Sequence, residues 1–435
     1  MKICVFTLGC KVNFYESDGI IAELNNLGYE TTNKLEYADV YILNTCCVTN
    51  EGERKSRQLV TRARHFNKDA KIIVCGCASQ KNSKQFEDKN VNVIFGNGHK
   101  KEIIDYINEQ NFKNLSKIPT EYSEEFLTTK TRVRAYLKVQ DGCNNFCSYC
   151  VIPFVRGRSR SRSLDYVRNE AKILSENASE IVLVGINLSD FKPSLIELIE
   201  NLNDIKSRIR LGSLEVNVVN DEFLIRLAKI DNFCPHFHLS MQSGCNEILS
   251  KMNRKYTKYE YLEKVSLIRK YFPNASITTD VIVGFPTETD DNFLETVDTI
   301  KKAKFFNMHI FPYSIREGTK ASKMQQVSSE VKEKRVKILE ALNNELFDNY
   351  INSLIKNEVE QNLLIEEEVN IDGNLYFVGH SEYFVKIYIK KDEKYKENDI
   401  IKVKIKEKFL DGAKVWKQLY VEWAVVLIVR LLHFY

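Results

Sequence analysis

Cys143, Cys147 and Cys150 stand in the run Asp141-Gly142-Cys143-Asn144-Asn145-Phe146-Cys147-Ser148-Tyr149-Cys150, and the fold must present all three sulfurs from one loop. Three thiolates so closely spaced can hold a cubane iron–sulfur cluster and leave one iron without a protein ligand. A metal with an open coordination position implies chemistry and not only electron storage. Zinc in a closed structural site takes four ligands, and no Cys or His follows Cys150 at the usual spacing, the next being Cys234 and His236. A zinc knob or a plain thiol cluster is the alternative reading.

At 435 residues and 43% hydrophobic content, with both charge signs mixed throughout, the chain has material for two or three globular domains. Its formal charge of +4 is small against 63 basic and 59 acidic residues, so a nucleic-acid partner has to be met by local clusters. Eleven cysteines and no signal peptide predict a reducing compartment where thiols serve as metal ligands. A cytoplasmic location is expected, and no membrane. The end of the chain, Val421 to Tyr435, is mostly apolar, but its unbroken run Trp423–Val429 is too short to span a bilayer. Residues 416–435 are given no function.

From Lys2 to Ile107 short apolar runs alternate with amphipathic stretches. Strands are predicted at Ile3–Thr7, Val40–Asn44, Lys71–Cys75 and Val93–Phe95, and helices at Glu16–Leu27 and Gly52–Phe66. This is the pattern of a small parallel α/β domain over residues 1–110. The polar stretch Asn108–Lys130 reads as a linker. Strands are then predicted at Ala135–Val139, Ile181–Gly185, Ile209–Gly212, His236–Ser240, Thr278–Val283 and Asn307–Phe311, six β/α units that predict a partial or closed parallel barrel over residues 131–356. Cys143, Asn187, Glu215, Gln242 and Gly284 all follow predicted strands, at the end where such barrels collect ligands. Beyond a helical segment at Ser328–Lys356, β-type runs at Tyr376–Val378, Tyr383–Ile389 and Ile400–Ile405 predict a small antiparallel β-barrel over residues 359–415.

Cys10, Cys46 and Cys77 follow the first three predicted strands, at one end of the inferred sheet, so a second trio of thiols can meet in space. Cys4 and Cys75 lie inside strand patterns and Cys47 adjoins Cys46; these read as packing residues or spare thiols.

The C-x3-C-x2-C loop, with Tyr149 before its last cysteine, resembles the radical S-adenosylmethionine (SAM) superfamily, in which SAM fills the open iron site. Thr7-Leu8-Gly9-Cys10-Lys11-Val12-Asn13, Asn44-Thr45-Cys46 and Gly76-Cys77, taken with that loop, resemble the methylthiotransferases. The Leu-Gly-Cys-Lys-Val-Asn form most resembles the threonylcarbamoyladenosine tRNA methylthiotransferases. Relatives acting on isopentenyladenosine in tRNA, or on an aspartate of a ribosomal protein, usually carry a different tripeptide after that cysteine and are the alternative.

The resemblance, which runs from residue 1 to about residue 415, implies an enzyme that replaces the hydrogen at C2 of N6-threonylcarbamoyladenosine, at tRNA position 37, with a methylthio group. No side-chain acid or base removes such a hydrogen, so cofactors carry the chemistry and the protein positions them. Two [4Fe-4S] clusters and SAM are implied: one cluster on Cys143, Cys147 and Cys150 to generate a radical from SAM, the other on Cys10, Cys46 and Cys77 to hold the sulfur. Segments Val184–Asn187, Gly212–Glu215, Met241–Gly244 and Asp280–Pro286 match the family's SAM-binding pattern, which makes Asn187, Ser213, Glu215, Gln242 and Ser243 candidate contacts. Arg156, at the head of Arg156-Gly157-Arg158-Ser159-Arg160-Ser161-Arg162, is assigned to the SAM carboxylate or the RNA backbone, since a planar guanidinium pairs with either.

A second basic stretch, Arg54-Lys55-Ser56-Arg57 through Arg62 and Arg64, is a candidate for tRNA phosphates. The C-terminal segment resembles the TRAM domain, a small RNA-binding barrel; Tyr376, Tyr383 and Phe384 interleave with Lys386 and Lys390, a mix suited to stacking on bases of an anticodon stem-loop. An electron donor and a sulfur source are further partners that the chemistry requires. A metal-stabilised RNA-binding protein without catalysis, its cysteines on zinc, is the reading from a different class.

Overall fold

The computed structural model describes residues 1–87, 89–109, 111–122, 126–128 and 132–415, and the chain divides into two compact units, Met1–Phe347 and Asp348–Tyr435. The apolar run after residue 415 lies outside the described residues.

The first unit begins with a six-stranded parallel sheet. Its strands are β1 (Lys2–Thr7), β2 (Glu30–Thr32), β3 (Val40–Thr45), β4 (Lys71–Gly76), β5 (Val93–Phe95) and β6 (Lys113–Leu115), in the order β2-β1-β3-β4-β5-β6. Every residue of β3 is buried, as a central strand covered on both faces must be. Val40 and Ile42 pack with Ile20 and Leu24 of helix α1 (Lys11–Asn26), while Tyr41 and Leu43 pack with Leu59, Val60 and Ala63 of helix α2 (Asn50–Phe66). Strand β6 lies inside the stretch read from sequence as a linker. Lys113 and Asn114 are exposed and the strand pairs with Val93–Phe95 through its backbone, so no apolar period announces it. Helix α1 starts a full turn before its predicted start, because Val12, Asn13 and Tyr15 are themselves buried.

The second layer of this unit is the barrel. Strand β7 (Arg134–Lys138) leads to a short antiparallel pair, β8 (Gln140–Asp141) with β9 (Arg160–Ser161), that frames the Cys143 loop. Strands β10 (Glu180–Val184) and β11 (Arg208–Leu211) complete one parallel sheet with β7; β12 (Ser213–Leu214), β13 (His236–Leu239), β14 (Ser276–Val283) and β15 (Asn307–Pro312) form the next. The two sheets join across Gly212, whose N–H bonds the Leu183 carbonyl at 2.9 Å. Among the described residues no pairing joins β7 to β15, so the barrel is partial. Alternation along the strands sends Ile181, Leu183, Ile209, Leu211, Phe237 and Leu239 outward into the main core. The intervening Glu180, Val182, Val184, Arg208, Arg210, His236 and His238 therefore face the lumen.

In the second unit, β16 (Glu360–Ile371), β17 (Asn374–His380), β18 (Lys386–Lys390), β19 (Ile400–Lys404), β20 (Glu407–Phe409) and β21 (Gly412–Lys414) form one sheet, ordered β19-β16-β17-β18-β21-β20. Its pairs are antiparallel except β18 with β21, which is parallel, so the sheet is mixed where the sequence predicts an antiparallel barrel, and no pairing among the described residues closes it. Among the described residues, no helix is long and apolar enough to cross a membrane.

Candidate functional site

Cys10, Cys46 and Cys77 sit where β1, β3 and β4 end. Gly76, at φ +102°, delivers Cys77: a Cβ there would fall 2.5 Å from the Thr45 carbonyl oxygen, so only glycine lets β4 lie this close to β3. Asn13, three residues after Cys10, ties the loops together, donating to the Asn44 side chain and the Thr45 carbonyl at 3.1 Å each while its Oδ1 accepts from Cys10 at 3.4 Å. The three sulfurs are close enough to feel one another's charge, and burial pushes the Cys46 thiol up to about 12. Cys77 goes the other way: the Cys47 thiol it accepts, with Arg156 and Lys100, outweighs burial and holds it at about 6. Cys47 itself is fully buried in the core beside α2, as a packing residue.

Cys143, Cys147 and Cys150 occupy a loop held from below. Asn253 donates to the carbonyls of Asn145 and Phe146 at 3.3 and 3.1 Å, and Ser148 Oγ bonds the Lys251 carbonyl at 2.7 Å. Burial and the neighbouring sulfurs push Cys143 up to about 11 and Cys150 up to about 12. Thiols crowded and buried in this way ionise when a metal supplies the counter-charge. N–H groups are already aimed at the sulfurs: Arg254 at Cys147 (3.4 Å), the Asn145 amide at Cys143 (3.4 Å), the Val48 amide at Cys46 (3.4 Å) and Arg156 Nε at Cys77 (3.3 Å). Both trios fit iron–sulfur clusters, whose potentials are set in part by such bonds.

Two cavities adjoin the barrel trio. One, of about 200 Å³, is lined by Asn145, Cys147, Asn187, Glu215 and Arg254, with Tyr256 at its wall. The other, of about 260 Å³, is lined by Val48 and Thr49, shortly after Cys46, together with Cys150, Gln242, Phe311 and Arg316. The second cavity thus joins the barrel loop to the segment that follows Cys46.

Of the candidate SAM contacts, Asn187, Glu215 and Gln242 line these cavities, Glu215 in an ion pair with Arg254. Ser213 is exposed and lines neither. Ser243 is fully buried, bonding Thr296 Oγ1 and the Cys245 amide at 3.2 Å each; it braces the loop and faces no ligand.

Arg156 is likewise elsewhere. It has no exposed surface, and besides Cys77 it donates to Glu16 Oε1 (2.9 Å), Asp141 (3.2 Å) and Asn13 Oδ1 (3.0 Å), which leaves nothing for a SAM carboxylate or a phosphate. Those acids hold it protonated despite burial, and Lys138 and Arg156 hold Asp141 down at about 2 against burial. The rest of that run is engaged as well: Arg160 with Asp141 (3.6 Å), Arg162 with Glu170 (2.5 Å), and Arg158 over the Phe146 ring (4.4 Å). In the α2 stretch, Arg54 pairs with Glu51 at 2.6 Å and Arg64 donates to the Asn90 carbonyl at 2.7 Å.

In the second unit Tyr376 is core, packed with Val378, Tyr388 and Phe409, and Lys386 pairs with Asp411 at 3.0 Å. Phe384 stacks on His380 at 4.7 Å, and Lys390 is exposed.

Sequence reasoning passed over Arg254, whose only signal is its place in Asn253-Arg254-Lys255, where Asn253 takes φ +61°. It also passed over His238 and His309, which sit on the strands either side of Asp280, the first residue of the segment Asp280–Pro286. His238 Nε2 and His309 Nδ1 lie 3.2 and 3.1 Å from the Asp280 carboxylate.

A profile of the radical SAM superfamily matches residues 137–300, and one of the uncharacterized protein family UPF0004 matches residues 2–96. The chain is 37% identical over 423 residues to the threonylcarbamoyladenosine tRNA methylthiotransferase MtaB of Bacillus subtilis (strain 168), covering 93% of each chain. It is 38% identical over 361 residues to the enzyme of the same name from Aquifex aeolicus (strain VF5), 79% of this chain and 88% of that one. The tRNA-2-methylthio-N(6)-dimethylallyladenosine synthase of Clostridium botulinum (strain Okra / Type B1) is 35% identical over 390 residues, 84% of this chain and 85% of that one. Among solved structures, the radical S-adenosylmethionine methyltransferase TsrM from Kitasatospora setae superposes with a TM-score of 0.56 at 14% identity, covering 74% of both chains, a likeness of fold.

Proposed function

The chain belongs to the radical SAM tRNA methylthiotransferases, enzymes that use SAM and [4Fe-4S] clusters, and within that family we propose that it methylthiolates C2 of N6-threonylcarbamoyladenosine in the anticodon stem-loop, in the cytoplasm. The observation that supports this reading is the cavity of about 260 Å³ that Cys150 lines together with Val48 and Thr49, the residues that follow Cys46 and Cys47 in the chain. When bound, a cluster on Cys143, Cys147 and Cys150 would supply the electron that makes a radical from SAM, and one on Cys10, Cys46 and Cys77 would supply the sulfur's holding site.

The chain's own residues do the positioning. Glu215, fixed by Arg254 and by Asn145 Nδ2 at 3.2 Å, presents a carboxylate to the cavity that Asn187 shares. It is placed to accept from ribose hydroxyls or an ammonium. Tyr149, Phe285 and Tyr313 stack edge to face, and Tyr149 and Tyr313 form part of the wall of the cavity that Cys150 lines. Arg156 ties Cys77 to the start of the other cysteine loop, touching Cys77 with one nitrogen and Asp141, two residues before Cys143, with another.

The test is mass spectrometry of tRNA nucleosides from cells with and without the gene. Loss of the methylthio form of threonylcarbamoyladenosine on deletion is expected. Loss of the methylthio dimethylallyl nucleoside instead, or no methylthio difference, would overturn the reading.

A further inference from the structure

Two imidazoles and a carboxylate converge on one face of the barrel sheet, none of them close in sequence to a cysteine of either trio. Ile277, Val281 and Val283 of β14 and Met308 of β15 belong to the main core, as do Phe237 and Leu239 of β13. Alternation therefore turns His238, Asp280 and His309 together to the opposite face. The strands are parallel neighbours, with His238 opposite Thr278 and Asp280 opposite His309, so the register itself brings both rings to one carboxylate. His238 Nε2 lies 3.2 Å from one carboxylate oxygen and His309 Nδ1 lies 3.1 Å from the other. One ligand atom from each residue can be chosen so that all three lie within 4.8 Å of one another. Atoms bound at about 2.0–2.1 Å to one tetrahedral ion stand roughly 3.3 Å apart, and the observed spacing is of that size.

The rings are also held as ligands are. His238 turns its other nitrogen, Nδ1, to Thr278 Oγ1 at 2.9 Å, and the same hydroxyl meets His236 Nε2 at 2.9 Å. A partner on the second nitrogen fixes the ring so that the first points at the ion. His238 and His309 stack with centroids 5.5 Å apart and 30° between their planes, and Ser240 Oγ donates to Asp280 Oδ2 at 3.4 Å. His238 is buried, Asp280 half-buried and His309 exposed, so an ion has a way in from the His309 side. Asp280 lines the cavity of about 260 Å³ together with Cys150 and Gln242, as does Phe311, two residues beyond His309.

We propose that His238, Asp280 and His309 bind a divalent first-row cation, of the zinc, iron(II) or manganese class, at the wall of this cavity and separately from both cysteine trios. Two imidazoles and one carboxylate are a donor set for such ions, and no thiolate is among them to favour a soft metal. Three protein ligands leave open positions for water or for an oxygen of a bound molecule, which a closed structural site does not.

Manganese(II) is the probe, because it prefers carboxylate and imidazole to thiolate. Full-length protein, loaded with its clusters in the absence of oxygen, is titrated with the ion while electron paramagnetic resonance follows what stays free, and iron is determined on the same samples. Wild type should take up one equivalent. His238→Gln and His309→Gln should each weaken that uptake at least about tenfold, since even the outer partner of a metal ligand is worth that much, and both should keep their iron. The His309 ring is exposed, so its variant tests the site without opening the core. A trio held only by its own hydrogen bonds takes up no equivalent in wild type, and that result overturns the site. Uptake that persists undiminished in His309→Gln overturns it as well. The readout is metal binding and not turnover, so either outcome is independent of the nucleoside that the enzyme modifies.

Discussion

A guanidinium with no exposed surface survives in a fold only when its partners replace water, and Arg156 has four: Glu16, Asp141, Asn13 and Cys77. Removing one member of such a network strands the others, at a cost of about 3–5 kcal/mol. Arg156→Met should therefore destabilise the first unit by that order in chemical denaturation and lose the iron bound by the N-terminal trio. Arg156→Lys, which keeps the charge without the planar fork, should recover much of the stability and less of the iron. Full iron in the Met variant would mean that the bond to Cys77 is incidental.

Glu180 is the second such residue, held below the usual carboxylate range because Arg210 and Arg208 outweigh its burial. A carboxylate depressed in the folded state adds stability above its unfolded pKa of about 4.5 and loses it as pH falls through the folded value. Glu180→Gln, which removes the buried carboxylate that two guanidinium groups share, should cost about 3 kcal/mol at neutral pH. That deficit relative to wild type should shrink progressively below about pH 4.5. A deficit independent of pH would show that the charge is not what matters.

At the scale of elements, the loops that carry the cysteines depend on backbone more than on side chains. Gly142, at φ +71°, passes so near the segment leading into β9 that a Cβ would fall 1.9 Å from the Arg158 carbonyl oxygen. Gly142→Ala must therefore push β8 from β9, and iron determination should show loss of the cluster on Cys143, Cys147 and Cys150 while the other is retained; undiminished iron would contradict this. Such loops were legible in sequence because a close approach demands glycine and a cluster demands cysteine, residues with few other uses. The strands were legible for a related reason, since buried parallel strands such as β3 and β10 are continuous apolar runs. What was not legible is pairing without an apolar signature, as in β6, and the partner that each cation takes. The arginines at 156, 160 and 162 read as a ligand-binding run, and only the fold brings Glu16, Asp141 and Glu170, from distant segments, into contact with them. Arg254, His238 and His309 escaped notice because each is a single polar residue in a strand or turn of ordinary composition.

At the scale of the whole molecule, the charge that would meet RNA has to be sought away from the arginine-rich loops, because most of their guanidinium groups are paired within the protein. The second unit exposes Lys390 and carries Tyr383 and Phe384 beside each other, Phe384 at φ +63° with its ring on His380. A chain ending at Lys356, which keeps the long helix Ser329–Lys356 whole, separates the two contributions. If the second unit supplies the RNA grip, this variant should bind both clusters and cleave SAM without RNA at near the full-length rate. Its KM for tRNA should rise at least about tenfold, and its affinity should fall less steeply with salt, since fewer phosphates are neutralised. An unchanged KM and salt slope would place the grip within Met1–Phe347.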